Sequence, residues 1–123
     1  MTYHVDRFYA AAAVLAAEGH IKHRLIRAYT DNLANIEDDE LPIALQESFA
    51  DLKKRMHGVA PLNGEGPIRA SVRKMSPGEA GECGVMVLSL YGGMLQHIDA
   101  DVDVAAHSNG DAQSVPPFLV KSN

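Results

Sequence analysis

The sequence predicts an all-α fold: a small helical bundle with one long N-terminal helix, two further long or medium helices, one short helix and an extended C-terminal tail. Three observations carry that expectation. Between Asp6 and Ile36, the apolar residues Phe8, Ala11, Val14, Leu15, Ile21, Leu25, Ala28, Tyr29, Leu33 and Ile36 recur at helical spacing. A second seam, Leu45, Phe49, Leu52 and Met56, advances in steps of four, three and four. Ser76-Pro77-Gly78-Glu79 then spells a helix start, with serine as N-cap, proline at the first helical position and glutamate reaching back to complete a capping box.

A chain of 123 residues suffices for one hydrophobic core and is short for two. With 46% hydrophobic and 22% charged residues it has the composition of a globular domain rather than a disordered one. The net charge of −5 argues against a protein devoted to coating nucleic acid, where a basic balance is the usual footprint. Cys83 is the only cysteine and lies in an apolar run, so it is expected as a small buried hydrophobe in a reducing compartment. The apolar stretch near the N-terminus carries no cleavage pattern, and residues 84–95 fall short of the roughly 20 that a membrane span requires. A cytoplasmic location without membrane insertion is the expectation.

On the first helix, 100° steps place Val14, Ile21, Leu25, Tyr29 and Ile36 in one sector and His20, His23, Arg24, Arg27, Asp31 and Asn35 opposite. Before His20 the helix is alanine-rich or apolar on every side, which points to neighbours on more than one face. About 30 residues at 1.5 Å each make a rod of roughly 45 Å, longer than the ~35 Å diameter of a compact domain of this size. Two outcomes fit: Gly19 breaks or bends the helix, or a second copy of the chain covers the overhanging half. The second makes a homodimer natural, with Ala12, Ala13, Ala16, Met86 and Tyr91 as interface candidates.

The acidic run Glu37 to Glu40 suits the start of the next helix, where the macrodipole favours negative charge. That helix is expected over about 40–57, with Pro42 in its first turn, Lys53, Lys54, Arg55 and His57 toward its C-terminal end and Gly58 as its stop. Residues 59–67 read as a loop. Residues 68–75 fit a two-turn helix better than a strand, with Arg69, Arg73 and Lys74 exposed. The helix opened by Ser76 is hydrophobic nearly all round, so it is expected at the centre of the fold or in an interface. Its run VMVLSLYGG also has strand character. From Asp99 onward the composition suits a tail with an apolar docking tip at 115–120, giving a helical domain over 1–98 and a tail over 99–123.

Three constellations are candidates for chemistry. Asp99, Asp101 and Asp103 resemble the opening of a calcium loop, but Val104 and Gly110 stand where glycine and glutamate are required. His20 and His23, three apart beside Glu18, offer two metal ligands of the three or four a stable site needs. Together with Arg24 and Arg27 they also form a cationic ridge suited to a phosphate or carboxylate. Glu18 and Lys22, four apart on the core side of a continuous helix, imply an ion pair at a polar pocket or an interface rim.

There is no Gly-rich phosphate loop, CxxC pair, nucleophile elbow or HExxH motif. The expected function is therefore a non-enzymatic helical interaction or regulatory module acting as a homodimer, with room for a further protein partner. The alternative is a small helical metal- or anion-binding enzyme or sensor, with Glu18, His20, Lys22, His23 and Arg27 as ligand candidates. The sequence specifies no cofactor.

Overall fold

The computed structural model describes residues 2–62 and 64–108, with side chains for 3–62 and 64–98. Among the described residues five α-helices form: α1 (Thr2–Leu15), α2 (Ile21–Asn32), α3 (Ile43–His57), α4 (Pro67–Lys74) and α5 (Pro77–Ser108), with a 3-10 turn (Asp38–Glu40) before α3. No strand occurs among the described residues. The all-α expectation holds, and the run VMVLSLYGG is helical.

The single long N-terminal helix does not form; the chain breaks between Leu15 and Ile21 and folds back as a helical hairpin. The break has a local cause. Gly19 adopts a φ of +110°, a backbone conformation that a Cβ disfavours. Arg24 then holds the turn closed: its Nε donates to the Gly19 carbonyl at 2.8 Å, and its guanidinium also donates to the Leu15 carbonyl at the end of α1. A cation on these orphan carbonyls suits the negative end of the helix dipole. Apolar periodicity crosses the break because both helices pack on the same core. The length argument passes instead to α5, whose 32 residues span roughly 48 Å.

The helix expected over 40–57 starts at Ile43, with Pro42 as its N-cap residue rather than inside its first turn. The acidic run caps its own 3-10 turn, the Glu37 amide donating to Glu40 Oε1 at 3.3 Å. At α5 the capping box forms as expected: Ser76 N–H donates to Glu79 Oε1 at 2.8 Å, and Glu79 N–H to Ser76 Oγ at 3.0 Å. The backbone of α5 runs on through Asp99 to Ser108, past the position where a tail was expected to begin. Residues 109–123, with the apolar tip, lie outside the described residues.

Helix α5 packs against α1, α2 and α3. Phe8 of α1 meets Phe49 of α3 edge to face, ring centroids 6.0 Å apart. Around them Leu25, Tyr29, Leu33, Leu52, Met56, Val87 and Met94 are fully buried. Each such side chain contributes about 1.5–3 kcal/mol by leaving water. One α5 glycine admits a close neighbour: a Cβ on Gly93 would lie only 2.6 Å from Leu45 Cδ2, whereas one on Gly84 would make ordinary contact with Leu15 Cδ2 at 3.7 Å. Among the described residues, no helix is long and apolar enough to cross a membrane.

Candidate functional site

The turn between α1 and α2 separates the candidates that sequence spacing had grouped. His20 is the N-cap of α2, its Nδ1 accepting from the Lys22 amide at 3.1 Å. Lys22 Nζ reaches α4 and donates to the Arg73 carbonyl at 3.2 Å, within that helix's last turn. Glu18 lies exposed in the turn and forms no ion pair with Lys22. The expected core-side pair required a continuous helix, and the break removes it. His20 and Lys22 therefore act as caps.

Glu18, His23 and Arg27 do come together. They line an open cleft of roughly 640 Å³ with Gly19, Arg24 and Ile26, and α4 adds Arg69. The cleft is cationic in a chain of net charge −5, with Glu18 its one acid. Its chemistry suits an anion. The His20 and His23 rings lie with centroids 6.3 Å apart, and no group of three His, Cys, Asp or Glu side chains among the described residues is placed to hold a metal ion. Arg69 had no sequence signal linking it to His23: only the packing of α4 on α2 joins them.

Three of the remaining basic residues are engaged. Lys53 Nζ lies 3.3 Å from Asp38 Oδ1, Arg55 pairs with Glu82 at 3.2 Å, and Arg73 grips Glu65 through Nε and Nη2 at 3.2 and 2.6 Å. The Arg73 guanidinium holds the Glu65 carboxyl below its usual range. Cys83 is buried, and burial pushes its thiol up, away from the reactive thiolate.

A second feature is an apolar face shared by α1 and α5. Tyr9 of α1 and Tyr91 of α5 lie with ring centroids 5.9 Å apart, and Tyr9 is 59% exposed. Ala13 and Ala16 are exposed further along α1, with Ala12 half-buried. On α5, Val85, Leu88 and Leu95 are 61%, 50% and 39% exposed. With Gly81 and Gly92 they form the series 81, 85, 88, 92, 95, in steps of four, three, four and three, the spacing of a helix-pairing seam. Of the interface candidates, Ala13, Ala16 and Tyr91 belong to this face. Met86 lies about 100° around α5 from Val85, and the two share a groove toward α3 with Leu45.

Comparison with models of protein families, with curated proteins and with solved structures finds no match to this chain. What fold and surface define is a class: a small all-α protein with a cationic cleft at its hairpin turn and an open apolar seam along its longest helix.

Proposed function

We propose that the chain is a non-enzymatic helical interaction module, regulatory in character, that works as a homodimer through the α1–α5 face. The observation that carries this is the pair Gly81 and Gly92. A glycine inside a helix costs about 1 kcal/mol relative to alanine. Gly93 has a reason within the chain, since Leu45 occupies the space a Cβ would take, and Gly84 at least lies against Leu15, where a Cβ would make ordinary contact. Gly81 and Gly92 have none: a Cβ on either meets nothing within 4 Å. Both lie in the exposed seam with Val85, Leu88 and Leu95, where a small residue admits a second helix closely. An antiparallel pairing sets leucines of one copy against glycines of the other, large against small, and brings two α1–α5 pairs together as a four-helix arrangement. The buried free Cys83 suits a reducing compartment such as the cytoplasm.

Light scattering on size-separated protein tests the proposal. A dimer is expected at tens of micromolar, with Leu88→Glu monomeric and equally helical by circular dichroism. A wild-type monomer at that concentration ends it.

A second reading is favoured by the convergence of His23, Arg27 and Arg69: an anion-binding sensor at the hairpin turn. Titration with inorganic phosphate and citrate, comparing wild type with Arg69→Gln, tests it. Salt-sensitive binding lost in the variant supports the site, and no saturable binding removes it.

A further inference from the structure

We infer that the cavity between the first half of α1 and the end of α2 is a binding site for a small zwitterion of the α-amino-acid type, with Arg7 taking its carboxylate and His4, Asp31 and Glu40 taking its ammonium. The cavity measures roughly 330 Å³, at the small end of the ligand-pocket range of about 300–1,000 Å³. That size suits a metabolite rather than a peptide. Of its lining side chains only Ala34 and Ile36 lack a polar group.

Two of those polar groups are unsatisfied. Arg7 Nε and His4 Nδ1 are both buried and have no hydrogen-bond partner among the described residues. A native structure keeps few buried polar atoms without a partner, and a bound ligand is one reason to keep them. Arg7 makes no ion pair among the described residues. Its guanidinium carbon lies 5.4 Å from the Tyr3 ring centroid, a cation–π contact that fixes it on the cavity wall. His4 Nε2 lies 3.6 Å from Glu40 Oε1. With the imidazole proton on Nε2 facing that carboxylate, Nδ1 presents a lone pair and acts as an acceptor.

The charge pattern selects the ligand. Arg7 attracts a carboxylate, while Asp31 and Glu40, which line the same cavity, repel a simple anion. Asn32, at the last residue of α2, donates its Nδ2 to the Ala28 carbonyl at 3.2 Å and keeps its own amide oxygen as an acceptor. The C-terminal end of α2, where the helix dipole is negative, adds to the ammonium side. A molecule with one carboxylate and one ammonium a few bonds apart matches both sides at once.

Isothermal titration of the full chain with a panel of L-amino acids tests this, with acetate and methylammonium as half-ligand controls. At least one amino acid is expected to bind saturably in the millimolar range or tighter. Arg7→Gln and Asp31→Asn are each expected to weaken it about tenfold or more, while Lys54→Gln, exposed on α3 and outside the cavity, leaves it unchanged. Amide chemical shifts of wild-type His4 and Asn35 should move with the same ligand, which keeps the test independent of how the variants fold. Three results overturn the inference: no saturable binding by any member of the panel, binding that survives both cavity substitutions, or acetate binding as tightly as the amino acid.

Discussion

The Tyr29 hydroxyl lies 2.9 Å from Nε2 of His57, tying the middle of α2 to the last residue of α3. The rings stand edge to face with centroids 5.5 Å apart. Burial, with the Asp38 carboxylate adding to it, pushes the Tyr29 phenol above its ordinary range, so it stays a neutral donor. Burial, then the nearby Lys53 ammonium, lowers the His57 pKa and favours the neutral imidazole that accepts from Tyr29. An unfolded histidine titrates near pH 6.5. Below that value the unfolded chain binds the proton more readily than the folded one, so this contribution to stability is present above about pH 6.5 and lost as pH falls toward the lower folded value. Urea midpoints of wild type are expected to fall between about pH 7 and pH 5 more steeply than those of His57→Gln; parallel slopes would refute the coupling.

Gly19→Ala separates a broken helix from a continuous one. In a continuous helix alanine would stabilise the chain. At a φ of +110° it is expected to destabilise by roughly 1–2 kcal/mol, read from the urea midpoint. Arg24→Met, which removes the guanidinium from the Leu15 and Gly19 carbonyls, should cost about 1 kcal/mol.

Adjacent glycines on α5 give opposite expectations. Gly92→Ala meets open space and should stabilise the isolated chain by about 1 kcal/mol in dilute denaturation, while weakening the dimer in light scattering. Gly93→Ala forces Leu45 to move from 2.6 Å. It should leave the chain about 1–3 kcal/mol less stable than Gly92→Ala, with little effect on association. A Gly92→Ala variant that dimerises as wild type does would take away the main support for the seam.

Ser76→Ala removes one half of the reciprocal cap at the start of α5. A loss of about 1 kcal/mol is expected, with hydrogen exchange accelerated in the first turn rather than around Met94. Uniform acceleration along α5 would mean that the cap has no local role.

Local signals were legible wherever neighbours in sequence are also neighbours in space. The seam Leu45, Phe49, Leu52 and Met56 and the box at Ser76–Glu79 could be read directly, because helix periodicity and capping depend on contacts three or four residues apart. The helix at 68–75 was legible for the same reason. The pairing of Glu18 with Lys22 was not, since its geometry presupposed a helix that Gly19 interrupts. Composition marks Met86 as apolar without saying which neighbour it faces; packing sets it in a groove with Leu45 of α3.

The sequence by itself determined that this chain is helical, where α4 lies, where α3 stops and α5 starts, and most of the residues that fill the core. Tertiary structure alone decided that the N-terminal region folds back on itself at Gly19. It also decided that Arg69 joins His23 and Arg27, that Arg7 and His4 share a cavity with Asp31 and Glu40, and that Gly81 and Gly92 face open space while Gly84 and Gly93 do not. The reason is physical: a helix follows from interactions within one turn, whereas a cleft, a cavity or a seam is made by side chains far apart in sequence, whose meeting depends on how whole helices pack.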